Sequence, residues 1–272
     1  MVRQIVPRAA RNLLRSPTTS ISWVLQELLF LAGQRASCPI AEGWTVRCHP
    51  ASLTAFRTHL SDSDFQSELA SFRRHCFPEM TLLDVGAHFG IFTIAALRFG
   101  PAYRVVAVEP SAVASRILSC NVALAGGRQQ VEVVRAAVGA SSANLRMLTT
   151  GPQSTHYMVF TNEPRPDTVE VPQTTIDSLA ERMNRPFTHI KIDVEGFEED
   201  VIRGGAAVLK EAAPVVYLEL HGSMMRECGR NPAAPLRLLA DLGYDQFLAG
   251  ERPMSVNEAA SRELIRLVCL RS

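Results

Sequence analysis

Lysine is nearly missing from this 272-residue sequence: Lys191 and Lys210 are the only two, and the other basic residues are arginines. The arginines are scattered, and against 27 acids they leave a formal net charge of +1. Bulk charge therefore gives no footprint for nucleic acid, and no nucleic-acid partner is expected. The six cysteines, at 38, 48, 76, 120, 228 and 269, form no CxxC pair and no zinc-finger spacing with histidine. That excludes the usual thiol-redox and structural-zinc motifs, and it suits free thiols in a reducing, cytoplasmic compartment. No window approaches the ~18–20 consecutive apolar residues of a membrane span. Internal repeats, low-complexity tracts and a GxGxxG motif are also missing. What remains is a globular composition, 47% hydrophobic and 20% charged, which argues against disorder.

The start of the chain carries Arg3, Arg8, Arg11 and Arg15 and no acid. An apolar stretch from Ile21 to Ala32 follows, with Ile21, Val24, Leu25, Leu28 and Leu29 at helical spacing. Gln26 and Glu27 interrupt it and argue against a cleaved signal. An amphipathic helix with a basic leader is the reading. It either docks on the body of the protein or lies on an anionic membrane, so peripheral membrane contact through residues 1–32 is one expectation.

Trp44–Cys48 reads as a short strand, and Asp62–Cys76 as a helix with Phe65, Leu69, Phe72 and Cys76 on one stripe. From Thr81 onward strands and helices alternate. Strands are predicted at 81–86, 103–109, 131–138, 189–193, 215–220, 244–248 and 264–270. Helices are predicted at 90–99, from Ser111 to about Gly126, at 198–210 and at 235–242. Between the third and fourth strands lies a polar insert, 139–175, with β-like pieces at 144–148 and 169–171. Alternation of this kind predicts a doubly wound, mostly parallel sheet covered on both faces. Seven strands with no long final connection predict an antiparallel ending. The expected organisation is a helical and short-strand extension over 1–60 and one α/β domain over 61–272.

Ligands of such sheets bind outside the carboxyl ends of the strands. The first strand ends in Asp84-Val-Gly86-Ala87-His88-Phe-Gly90, a glycine turn that opens a helix. An aspartate there would repel a pyrophosphate but suit a ligand with an ammonium group. The second strand ends in Glu109, 25 positions after Asp84, placed to accept two ribose hydroxyls. The pair suits a nucleoside with a cationic amino-acid arm, a description that S-adenosylmethionine fits. The fourth and fifth strands end in Asp193-Val-Glu195 and Glu219-Leu-His221, whose alternating side chains share a face. Three carboxylates and an imidazole are thus expected to converge on one rim. Trp44, Phe56, His156 and Tyr157 either line a cleft or pack in the core.

Together, Asp84–Gly90, Val108-Glu109-Pro110, Asn121, Thr174–Asp177, Lys191-Ile-Asp-Val-Glu-Gly-Phe-Glu198 and Glu219-Leu-His221 resemble the FkbM family of S-adenosylmethionine-dependent methyltransferases. The resemblance covers about 60–225, and His88-Phe89 stands where the family usually has a smaller polar–aliphatic pair. It implies the class I methyltransferase fold, Rossmann-like, with a seven-stranded sheet. It also implies methylation of a hydroxyl on a small molecule, sugar or glycan. Asp84, Gly86, Ala87, His88, Gly90, Glu109 and Asp193 would hold S-adenosylmethionine. Asp193 or His221 would take the proton, with Glu219 and Glu195 beside them. A metal-free mechanism is favoured over one in which these residues bind magnesium or manganese. An inactive cofactor-binding module and a nicotinamide-dependent oxidoreductase are the alternatives.

Overall fold

A computed structural model describes residues 17–41, 44–99, 104–148, 168–183 and 185–272. The arginines at 3, 8, 11 and 15, the Gly100-Pro101 helix stop, His156, Tyr157 and the middle of the insert lie outside the described residues. The chain runs α1 (Pro17–Leu31), β1 (Ala36–Ala41), β2 (Trp44–Cys48), α2 (Leu53–Ser61) and α3 (Ser63–His75). It continues β3 (Thr81–Val85), α4 (Ile91–Phe99), β4 (Arg104–Val108), α5 (Ala112–Leu124), β5 (Val131–Val134), β6 (Ala137–Val138), β7 (Asn144–Leu148) and β8 (Thr168–Thr174). Then come α6 (Ile176–Glu181), β9 (His189–Ile192), α7 (Glu198–Arg203), α8 (Ala206–Glu211), β10 (Val215–Leu220) and α9 (Gly222–Glu227). The chain closes with α10 (Ala234–Asp241), β11 (Gln246–Ala249), β12 (Arg252–Pro253), α11 (Val256–Ser261) and β13 (Ile265–Leu270).

The main sheet has the order β12-β11-β13-β10-β9-β3-β4-β5. β5, β4, β3, β9 and β10 pair in parallel, while β13 is antiparallel to both β10 and β11. Setting aside the two-residue β12, the seven strands run 3-2-1-4-5-7-6 by order of appearance. The expected antiparallel ending is present, with the last strand β13 inserted between β10 and β11. Alternation along the strands divides the core. Leu83, Val106, Ile190 and Leu218 face one layer of helices, and Leu82, Val105 and Tyr217 face the layer containing α3 and α4.

Two expectations need correction, and the structure adds the orientation of α1. The strand expected over 131–138 is two: β5 pairs with β4 as far as Val134, then β6 joins β8 and β7 in a small separate sheet. The helix expected over 198–210 breaks into α7 and α8 at Gly204-Gly205. A Cβ on Gly204 would stand 2.0 Å from the Gly139 carbonyl oxygen, so only glycine lets the two backbones come this close. The apolar stripe of α1 faces outward: Val24, Leu25, Leu28, Leu29 and Leu31 are exposed, and Glu27 and Phe30 face the body. Of the four cleft candidates, Phe56 is core and Trp44 packs edge-on against Phe99.

The segment before α3 is tied to the α/β domain by one buried amide. Asn121 accepts from the His49 N–H (2.7 Å) and donates to Ser52 Oγ (3.1 Å) and the Phe89 carbonyl (2.9 Å). β2 is thereby fixed to the glycine turn.

Candidate active site

The glycine turn sits at the carboxyl end of β3, between β9 and β4 in the sheet. Gly86 has φ +80°, and a Cβ there would stand 1.8 Å from the Asp193 carbonyl oxygen. Glycine is therefore needed for the turn to abut the end of β9, before any ligand is considered. Asp84 is buried and accepts from Thr93 Oγ1 at 2.5 Å, which ties the strand to the first turn of α4. Burial pushes its carboxyl up to about 6, although Thr93 and Lys191 work against that. Ala87 is buried, its N–H donating to the Val108 carbonyl, and Gly90 N–H donates back to Ala87. His88 has φ +50° and its ring stacks on Phe89 at 3.8 Å.

Glu109 is the link between the first two strand ends. Its Oε2 accepts from the His88 N–H at 2.9 Å and its Oε1 from the Ser111 N–H at 2.8 Å. Burial raises its carboxyl to about 7 despite those two amides. An ionised carboxylate offers about four acceptor positions. With one used on each oxygen, two remain for a pair of hydroxyls. The orienting amides fix the carboxylate and do not exhaust it.

The second cluster forms where β9 and β10 end side by side. His221 Nε2 lies 3.8 Å from Asp193 Oδ1, 3.8 Å from Glu219 Oε1 and 4.0 Å from Glu195 Oε2. The convergence expected from strand alternation is present, although Glu195 reaches it from a turn at φ +55°. A fourth carboxylate completes the set. Glu198, fully buried at the start of α7, accepts from His221 Nδ1 at 2.9 Å and from the Gly196 N–H at 3.0 Å. Glu198 stands in the first turn of α7, where the helix dipole favours acids, but its side chain turns inward.

Beneath the rim lies a buried charge network that the sequence did not reveal. Lys191 Nζ contacts Glu68 Oε1 at 2.7 Å and Glu219 Oε2 at 3.4 Å. Arg266 grips Glu219 with both arms of its guanidinium, at 2.9 and 3.1 Å, and reaches Asp62 at 2.6 Å. The inserted strand makes this possible, because its antiparallel register sets Arg266 opposite Glu219.

The electrostatics follow from these contacts. Burial works to raise the Glu219 carboxyl, but Lys191 and Arg266 outweigh it and hold the group at about 2. Asp193 is driven well above the carboxylate range by burial and by neighbouring Glu219. Burial disfavours the His221 imidazolium, yet the Glu198 hydrogen bond and the charges of Asp193 and Glu195 raise it to about 10. Asp193, Glu219 and His221 each place a ligating atom within 4.8 Å of the others. One of these three, Glu219, already belongs to cations. Lys191 and Arg266 satisfy Glu219, and their positive charge opposes a divalent ion.

A doubly wound sheet whose antiparallel last strand is inserted, with a glycine turn and an acid at its first two carboxyl ends, defines a class I methyltransferase fold. Residues 84–245 match the family model of the methyltransferase FkbM domain, and the chain belongs to that family. Among solved structures, the methyltransferase FkbM from Methylobacillus flagellatus KT is 14% identical, with 81% of this chain and 59% of that chain covered at a TM-score of 0.47. This chain thus spans under two thirds of that protein's length. The ribosomal protein L11 methylase from Lactobacillus delbrueckii subsp. bulgaricus is 17% identical over 76% of this chain and 77% of that one, at a TM-score of 0.44. The precorrin-6y C5,15-methyltransferase from Geobacter metallireducens GS-15 is 14% identical over 76% and 86%, at 0.43. At such scores the fold rests on strand order, not on the likenesses. No curated protein matches the sequence.

Proposed function

We propose that this protein is an S-adenosylmethionine-dependent O-methyltransferase acting on a hydroxyl of a small molecule, sugar or glycan. The observation that carries the reading is Glu109, a buried carboxylate oriented by two backbone amides with two acceptor positions left, beside the glycine turn. Glu109 would accept the ribose hydroxyls, and the turn from Asp84 through Gly86, Ala87 and His88 to Gly90 would form the wall beside them. When bound there, S-adenosylmethionine supplies a methyl group activated by a sulfonium.

The chain's own residues then have two tasks. The first is to hold the acceptor hydroxyl in line, which supplies much of the acceleration. The second is to take its proton. The Glu198 hydrogen bond and the charges of Asp193 and Glu195 raise the His221 imidazole, which disfavours it as the acceptor. That role passes to Asp193, whose raised affinity for a proton suits a general base. His221 keeps the rim from accumulating uncompensated negative charge. A groove of about 380 Å³, lined by Asp64, Ser67, Arg252 and Arg262 among others, shares Glu68 and Arg266 with the charge network. Its polar lining and size suit a hydroxyl-rich acceptor.

Thermal shift tests the cofactor. S-Adenosylhomocysteine at a hundredfold excess over its Kd should add about 2.7 kcal/mol of stability, and NAD should add none. Glu109→Ala should weaken binding, since each hydrogen bond to a charged acceptor contributes about 1.5–3 kcal/mol. Calorimetry showing unchanged affinity in a folded Glu109→Ala protein would remove the ribose assignment. A response to NAD alone would favour the nicotinamide reading. A cofactor response without methyl transfer to any hydroxyl in a labelled cell extract would favour an inactive binding module.

The metal question has its own experiment. Because Lys191 and Arg266 already serve Glu219, turnover should survive exhaustive EDTA treatment. Loss of turnover that magnesium or manganese restores would make Asp193, Glu219 and His221 ligands.

A further inference from the structure

We propose that α1 is a docking element for an anionic lipid surface. This inference does not depend on methyl transfer.

The helix is attached to the protein by its polar and aromatic side. Glu27 accepts from Arg116 at 2.5 Å and lies 3.3 Å from His49 Nε2. The Phe30 ring packs on His49 at 4.1 Å, and the Arg35 guanidinium covers it at 3.9 Å. The opposite side carries the apolar residues. Val24 is 50% exposed, Leu25 55%, Leu28 57% and Leu31 77%. Their spacing places them along one stripe of the helix. Elsewhere among the described residues, large exposed apolar side chains occur singly, at Phe77, Val169 and Leu264. Scattered residues need no explanation, but a contiguous stripe marks a surface that meets something apolar.

Charge selects the partner. Residues 1–26 contain Arg3, Arg8, Arg11 and Arg15 and no acid. The first acid, Glu27, is turned inward and neutralised by Arg116. An apolar stripe following a purely basic leader complements the hydrocarbon boundary and the negative headgroups of an anionic leaflet. No helix among the described residues is long and apolar enough to cross a membrane, so α1 would lie on the surface.

The test is flotation of the full chain with phosphatidylcholine vesicles, and with the same vesicles doped with phosphatidylserine. The expected result is binding to the doped vesicles only, weakening as added salt shortens the Debye length. Leu25→Glu with Leu28→Glu should weaken binding at least tenfold. Each of Arg8→Gln and Arg11→Gln should weaken it about fivefold, the contribution of one basic residue near an anionic surface. All four positions lie outside the strand-end site, so stabilisation by S-adenosylhomocysteine should be unchanged. That readout keeps a misfolded variant distinct from a non-binding one. Failure of the wild-type chain to float with either vesicle overturns the proposal. So does binding that ignores the leucine substitutions. A lipid-free dimer that these substitutions convert to a monomer also overturns it, by giving the stripe to a second copy.

Discussion

Replacing Lys191 with methionine should destabilise the protein by about 3–5 kcal/mol, the cost of removing one partner from a buried charge pair. The side chain of Lys191 is 3% exposed and that of Glu68 1% exposed. Burial alone would drive the ammonium toward its neutral form, but Glu68, Glu219 and Asp193 hold it charged. Without it, Glu68 faces an apolar layer of Phe72, Phe92 and Tyr217 with only the 3.7 Å contact to Arg266. Glu219 would suffer less, since Arg266 still grips both its oxygens. The effect should thus be partly reversible. Lys191→Met combined with Glu68→Leu removes both members of the pair and should recover much of the loss, because apolar replacement of a buried ion pair is often neutral. Urea denaturation checks this through the midpoint at an unchanged m-value. A loss under about 1 kcal/mol in the single variant would mean that water reaches Glu68 and the pair is not truly buried.

That network also shows what the sequence could reveal and what it could not. The strand ends were legible because local rules generate them. Apolar runs stop at Gly86 and Glu109, and period-two alternation sets Glu219 and His221 on one face. Ser111, Thr175 and Asp62 are residue types that favour N-caps, and each accepts a backbone N–H from the first turn of its helix. Glu68 was not legible. Helical spacing puts it on the stripe of Phe65, Leu69 and Phe72, but nothing local names its partner Lys191, 123 residues away. Arg266 enters the site only because the last strand is inserted next to β10, and strand order is not written in any local pattern. The outward stripe of α1 was hidden for a different reason: helical spacing reports that a helix has two faces, not which one the protein covers. The split at Gly204-Gly205 was visible as a glycine pair, and the close approach of Gly139 was not.

The catalytic prediction concerns the division of labour between Asp193 and His221. If Asp193 is the base, Asp193→Asn should lower kcat by about 10²–10⁴-fold, the usual contribution of a positioned proton acceptor. His221→Gln then has a different signature. Activity requires Asp193 ionised, so it falls in acid, along a limb set by the raised Asp193 carboxyl. The His221 cation, 3.8 Å away, favours that ionised form. Removing the cation raises Asp193 further, so the acid limb of the pH–kcat profile should move to higher pH and not disappear. Were His221 the base, the limb would reflect the imidazole and would vanish with it. Stability supplies an independent check with a definite sign. The folded protein raises His221 from its ordinary 6.5 to about 10. Its contribution is therefore fully present below pH 6.5 and is lost as pH rises through about 10. Wild-type protein should lose stability progressively across that window, and His221→Gln should not show this alkaline decline. Denaturation midpoints measured at intervals between those limits decide it. A wild-type curve as flat as that of the variant would mean that His221 is neutral in the folded state, and the base would then be the imidazole after all.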